Sequence, residues 1–472
     1  MDRSDGSAPA IDRRVSSFPC LDGVRALAAM TVIAYHLCMS ILIIDPGTLP
    51  PVLVRHIAAL DRFGVAIFFM LSGFLLYRPY VLARLRGRPG PRPVDFWIRR
   101  GARIMPGYWF ALAGAMVLGV AVFTRPSPGD YLTAVALLQN YRAYGVLSFG
   151  LVVAWTLVIE VAFYALMPGF AAVAARLGRS GDRASVLRGN VIVLVAMIVA
   201  GVVTRYVALF VVGASAAPSR TWFPISNLNM WLPAYLDMFA LGMALAVVCA
   251  WRETGGGVPR VVAAFARRPW AAWLVVGVMI VALGRAGMPE VPGVLVIGPT
   301  TLFIRDELSI LAALAFVLPG AIPGPRPGGI RRLLAWKPIV LFGTVAFGVY
   351  LWQLPIIDVL DRRRDDLPVL DAAWPFTVVA LAITILAAYV SYVGVEFPSR
   401  NLAMRVTGRP PARRDGRWSR LRIDTSEHTE GIGRFVWTDE PILAGERGIV
   451  ALALLGSVAI AVALPAIRDA LA

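Results

Sequence analysis

ALAAMTVIAYHLCMSILII, residues 26–44, is an unbroken apolar run whose one ionisable side chain of note is His36. A helix rises 1.5 Å per residue, so about 20 such residues cross hydrocarbon about 30 Å thick. Comparable runs recur near 63–83, 108–123, 149–172, 190–213, 230–250, 269–285, 301–318, 338–358, 371–393 and 448–466. The sequence therefore predicts an all-α, polytopic integral membrane bundle of about eleven transmembrane helices. The segment 130–141 is too short to span and reads as re-entrant or interfacial.

Composition agrees with lipid as the main solvent. Hydrophobic residues make up 58% of the chain and charged residues only 16%, a balance soluble domains do not reach. The formal charge of +17 suggests nucleic acid at first sight, but the arginines lie in short loops between apolar runs. That is the pattern of charges held at a membrane face beside lipid headgroups, so membrane lipids are expected partners and nucleic acid is not. Cys20, Cys38 and Cys249 are too few and too scattered for a disulfide framework or a zinc site, and no metal is expected. The polar first twenty residues lack the zones of a cleavable signal, so the first helix is expected to be retained.

Arginine placement orients the spans. The second connection holds Arg84, Arg86, Arg88, Arg92, Arg99, Arg100 and Arg103; the fourth, sixth and eighth are also arginine-rich, whereas the third, fifth and seventh are poor. The rich loops, with the N-terminus, are expected in the cytoplasm, which puts the C-terminus outside after eleven spans. The ninth loop, with Arg362 to Arg364, fits the alternation least well.

Ionisable groups inside a span are costly and therefore mark function or structural pairing. Arg25 and His36 are eleven residues apart, which leaves them about 20° apart on one helix face and about 16 Å apart along it. An imidazole near mid-membrane can deprotonate a hydroxyl, although a packing histidine is the simpler alternative. Glu160, in WTLVIEVAFYALMP, is expected about 16 Å deep if its helix enters near Phe149, level with His36 and able to meet it. Asp237 and the group Arg305, Asp306 and Glu307 are expected to line an externally open polar vestibule or to pair internally. Arg100 and Arg103 share a helix face at the cytoplasmic mouth of the third span, where guanidinium groups grip phosphates or simply set topology.

These motifs together resemble acyltransferase family 3. LDGVRALAAMTVIAYH (Leu21 to His36) is similar to the opening of that family, with ten residues between its arginine and its histidine. FFMLSGFLL (Phe68 to Leu76), RRGARIMPGYW (Arg99 to Trp109), WTLVIEVAFY (Trp155 to Tyr164), YLWQLP (Tyr350 to Pro355) and VEFPSR (Val395 to Arg400) resemble its later signatures in order. The resemblance divides the chain into a cytoplasmic tail (1–17), a membrane acyltransferase domain (18–402), a cytoplasmic Arg/Pro/Gly-rich linker (403–447) and an additional C-terminal helix with a short tail (448–472). It implies an O-acyltransferase in the cell membrane. The donor would be cytoplasmic acyl-coenzyme A, acetyl-coenzyme A in the first place, and the acceptor a carbohydrate or glycolipid hydroxyl of the cell envelope. His36, Arg25 and Glu160 would be catalytic, Arg100 and Arg103 would bind the donor, and Asp237, Gln353, Tyr164 and Trp155 the acceptor. No permanently bound cofactor is implied. Gln353 departs from the histidine common at its position, and an amide cannot titrate. A transporter or flippase is the competing reading, against which stands the lack of self-similarity between the halves.

Overall fold

A computed structural model describes residues 19–44, 49–120, 127–141, 150–179, 181–212, 227–285, 298–324, 328–364 and 366–408, with two short strands beyond. In hydrocarbon every backbone N–H and C=O must bond within its own segment, and these apolar runs satisfy that rule as helices. In chain order they are α1 (Pro19–Ile44), α2 (Pro51–Ala58), α3 (Leu60–Leu85), α4 (Pro93–Val117), α5 (Pro128–Val135), α6 (Trp155–Leu177), α7 (Arg183–Tyr206) and α8 (Leu236–Glu253). They continue as α9 (Arg260–Arg267), α10 (Pro269–Arg285), α11 (Pro299–Ala321), α12 (Gly328–Leu334), α13 (Lys337–Arg362), α14 (Ala373–Ser391) and α15 (Phe397–Val406). A π-helical turn, Tyr392–Glu396, joins α14 to α15.

Among the described residues, seven helical stretches are long and apolar enough to cross a membrane, or eight if α9 and α10, bent by 97° at Arg268, form one span. The count of about eleven expected from the sequence is thus not reached. With the bent pair counted as one span, three runs account for the difference. The third, 108–123, falls in α4, whose first half carries Asp95, Arg99, Arg100 and Arg103; the eighth falls in α11 with Arg305, Asp306 and Glu307. The last, 448–466, lies outside the described residues. The tenth run also extends further than expected, through the π turn to Val406, and the segment read as a linker contains an antiparallel pair, Arg420–Asp424 with Arg434–Thr438.

Lipid tails give helices little hydrophobic reason to associate, so close packing of small residues has to do it. The tightest crossing is α3 on α8. A Cβ on Gly73 would stand 2.2 Å from the Phe239 carbonyl oxygen, and one on Gly242 would stand 2.0 Å from that of Met70. Each helix thus presents a glycine to the other's backbone. Along α1 and α13 the same device recurs, with the Gly343 position 2.2 Å from the Asp22 carbonyl oxygen.

Charges hold the far end of the bundle. Arg205 of α7, 1% exposed, pairs with Asp237 of α8 and with Glu307 of α11, the latter at 2.9 Å. Arg62 of α3 reaches Asp306 at 3.5 Å and donates to the Tyr235 hydroxyl at 2.9 Å. Arg305 reaches Asp61 at 3.5 Å. In this way α3, α7, α8 and α11 are tied at one level.

The glycine crossing makes a direct prediction. Gly242→Ala should destabilise the folded protein in detergent by about 1–3 kcal/mol or more, because backbone cannot yield as a flexible side chain does. Gly277→Ala, with nothing within 4 Å, is the control; equal melting temperatures for the two variants would refute the role given to this crossing.

Candidate functional site

A cavity of about 80 Å³ opens between α1, α3, α4, α6 and α13. Arg25, Arg100, Arg103, Ser72, Glu160 and Tyr164 supply its polar wall; Phe68, Phe347 and Tyr350 are among its apolar members. At about 10–15 Å³ per water-sized probe this space holds several waters, or a thioester and a small acyl group. It is too small for a nucleotide.

Most of these polar side chains are fixed by a neighbour. Arg25 donates to Asp22 at 2.6 Å, one helical turn back on α1. Glu160 accepts from the Ser72 hydroxyl and from the Tyr164 hydroxyl, both at 2.5 Å. The Arg100 guanidinium lies 5.8 Å from the centre of the Tyr164 ring, and the Trp97 indole N–H donates to the Tyr164 carbonyl at 3.1 Å. Among the described residues neither Arg100 nor Arg103 has an ion-pair partner, whereas Arg25 has Asp22. Three guanidinium groups and one inward carboxylate leave the cavity cationic, a composition that favours phosphate or carboxylate.

Sequence reasoning expected Glu160 beside His36, and the structure separates them. The reason is the start of α6. The helix begins at Trp155, after a 3₁₀ turn (Val152–Ala154) that is already inside the bundle, where the Tyr350 hydroxyl donates to the Val153 carbonyl at 2.6 Å. Glu160 is therefore carried past the level of His36 to the Arg25 end. His36 lies further along α1 and is absent from the cavity wall. Its Nδ1 is buried without a hydrogen-bond partner, and the Gln353 side chain and the Val32 carbonyl are polar groups beside the ring.

Two residues read as acceptor-binding lie elsewhere. Asp237, 2% exposed, faces Arg205 inside the bundle and so does not line an open vestibule. Trp155 packs near Arg62, its ring centre 5.5 Å from the guanidinium carbon, and beside Tyr235. Nor do Arg305, Asp306 and Glu307 pair among themselves; they reach Asp61, Arg62 and Arg205 on three other elements.

Several members escaped the sequence reading. Asp22, Ser72, Thr156 and Tyr350 are ordinary in one dimension; only the fold brings Thr156 to 2.6 Å from the Tyr350 hydroxyl. Glu396, in VEFPSR, is a further buried carboxylate beside the arginine-bearing stretch of α4. A Cβ on Gly107, one turn after Arg103, would lie 3.1 Å from its Cγ, and Ser391 donates to it at 3.3 Å.

The chain belongs to acyltransferase family 3, whose acyltransferase domain matches residues 18–394. It is 25% identical over 399 residues to the peptidoglycan O-acetyltransferase OatA of Listeria monocytogenes, covering 81% of this chain and 56% of that protein. Similarity to the putative peptidoglycan O-acetyltransferase YrhL of Bacillus subtilis is 26% over 402 residues, 82% of this chain and 55% of the other. Over 161 residues it is 32% identical to the acyltransferase MdmB of Streptomyces mycarofaciens, 33% and 39% of the two chains. The chain spans about half the length of the first two relatives. No solved structure matches it.

The placement of Asp237 yields a prediction. Asp237→Asn should cost about 3–5 kcal/mol of stability through a broken buried ion pair, read as a lower melting temperature in detergent. The acceptor KM of the folded fraction should stay unchanged. A normal melting temperature with a raised acceptor KM would return Asp237 to the substrate site.

Proposed function

We propose that this protein is a membrane O-acyltransferase that moves an acyl group, acetyl in the first place, from acyl-coenzyme A to a hydroxyl of a cell-envelope carbohydrate. The observation that carries this reading is the cationic cavity, in which Arg100 and Arg103 form no ion pair among the described residues. The relatives' names supply the carbohydrate class: two are peptidoglycan O-acetyltransferases by name, one of them putative. Polysaccharide, glycolipid and sugar-bearing metabolites all remain within that class.

The donor phosphates rest against Arg100 and Arg103, with Arg25 completing the cationic wall, while the adenosine stays outside a space of about 80 Å³. The flexible pantetheine arm reaches toward His36, about 16 Å along α1 from Arg25. The rings of Phe68 and Tyr350, 6.0 Å apart in the cavity wall, have to shift to admit it. As the acceptor oxygen bonds to the thioester carbonyl carbon, its proton passes to His36 Nε2. Collapse of the tetrahedral intermediate breaks the C–S bond, and the departing thiolate takes the proton back from the imidazolium. Ester and free coenzyme A are the products. Glu160, held by Ser72 and Tyr164, keeps Tyr164 beneath Arg100 and so shapes the donor end.

Arginine-rich loops put the Arg25 end in the cytoplasm and the N-terminus with it. On this view α4 and α11 cross the membrane as well, their charges covered by neighbouring helices, and the run at 448–466 adds a last span with the C-terminus outside.

Arg100→Ala and Arg103→Ala should each raise the donor KM on the order of 10- to 150-fold, the value of one charge-assisted phosphate contact of about 1.5–3 kcal/mol. The acceptor KM should move little; an unchanged donor KM in folded protein would assign the arginines to topology. In oriented vesicles, labelled acyl-coenzyme A given only at the cytoplasmic face should label acceptor confined to the opposite face. Product formed only when both substrates share one face would overturn the cross-membrane arrangement.

A further inference from the structure

Beyond the cavity, where α1 and α13 run side by side from the Gly343–Asp22 contact, two polar groups are buried together. His36 packs edge-on against Tyr35, ring centres 5.2 Å apart, and its Nδ1 has no partner. Gln353, 1% exposed, donates its amide N–H to the Tyr350 carbonyl of its own helix at 3.2 Å, and its Oε1 is buried with no partner. A buried polar atom left unpaired costs about 1–3 kcal/mol. The Gln353 side chain stands beside the His36 ring, as does the Val32 carbonyl one turn back on α1, and both unpaired atoms are buried there.

The chemistry fixes which end of the amide faces the ring. A backbone carbonyl only accepts, so the end of Gln353 turned to Tyr350 must be the nitrogen, and the free end is the oxygen. An amide oxygen also only accepts. His36 must then answer with an N–H, and a neutral imidazole that spends its single N–H on one nitrogen keeps a lone pair on the other. The carboxylate that acts on this ring, Asp61, is engaged by Arg305 at 3.5 Å and Arg62 at 3.9 Å.

We propose that Gln353 is the positioning residue of His36: its Oε1 accepts the Nδ1–H and holds the imidazole in the tautomer whose Nε2 lone pair is free for the acceptor hydroxyl. This rests on His36 as the base, and it moves Gln353 from the acceptor site to the machinery behind it. Because an amide does not titrate, the pair orients the ring without adding a charge to the membrane interior.

The test separates the two claims. With only three histidines in the chain, His56→Gln and His428→Gln leave His36 as the sole reporter for ¹⁵N solid-state NMR in bilayers. The Nδ1–H tautomer should dominate with Gln353 present and give way to a mixture in Gln353→Met. In the same variant kcat should fall on the order of 10- to 100-fold, as for loss of a supporting hydrogen bond to a functional histidine, with both KM values within about twofold. Gln353→Glu, which keeps an acceptor, should recover most of kcat. An Nε2–H tautomer in the unsubstituted Gln353 protein, or an unchanged tautomer in Gln353→Met, overturns the pairing, and the first reading stands even if the variant fails to fold. A raised acceptor KM at constant kcat overturns it in favour of a substrate contact. A tautomer change without loss of kcat keeps the hydrogen bond and removes His36 as the base.

Discussion

A charge in hydrocarbon has to be matched or masked, and that constraint governs this bundle. Arg205 is almost wholly buried and survives there because Asp237 and Glu307 come to it from two other helices. Removing water makes an ion pair expensive to bury and more expensive to break. The same cost forces the acids and bases of α3, α7, α8 and α11 to one level, and with the helices so tied the remaining polar groups have fixed addresses. The cationic cavity stands out against this background because two of its arginines form no ion pair among the described residues.

Glycine sets the other boundary condition. At Gly73 and Gly242 the backbones of α3 and α8 touch, and Ser72, which holds Glu160, is the neighbour of the first of these glycines. Packing and site are consequently the same piece of structure. The FFMLSGFLL motif places a hydroxyl toward the cavity and a missing side chain toward α8 in adjacent positions, about 100° apart around one helix.

Much of this was legible in the sequence and some was not, for physical reasons. Apolar length announces a membrane helix, so α1, α3, α6, α7, α8, α13 and α14 were within reach. The runs 108–123 and 301–318 were read as spans too, but the charges interleaved in α4 and α11 keep those helices from being apolar enough by the same measure. Arg25, Arg100, Arg103, Glu160 and Tyr164 were named from motifs and meet in one cavity. Ser72 gave no signal as the partner of Glu160, since a hydrogen bond across the bundle leaves no spacing in the chain, whereas Asp22 stands three residues before Arg25 and was open to an i,i+3 reading. Arg205 did have one: an arginine inside the run 190–213 is as anomalous as Glu160, and by the same rule it deserved notice. The depth assigned to Glu160 went astray because hydropathy does not distinguish a helix from the 3₁₀ turn that precedes it.

The π-helical turn at Tyr392–Glu396 changes the phase of everything after it. Such a turn accommodates one more residue than an α turn, which rotates the following helix by about 100° about its axis. Glu396 ends this turn and points at Gly107 beside the arginine-bearing stretch of α4. Removing one residue from the turn would restore α-helical phase and swing that carboxylate toward the lipid, although every side chain of VEFPSR would still be present. For this stretch the count of residues carries information that their identities alone do not, so insertions and deletions here are felt as a rotation of the site.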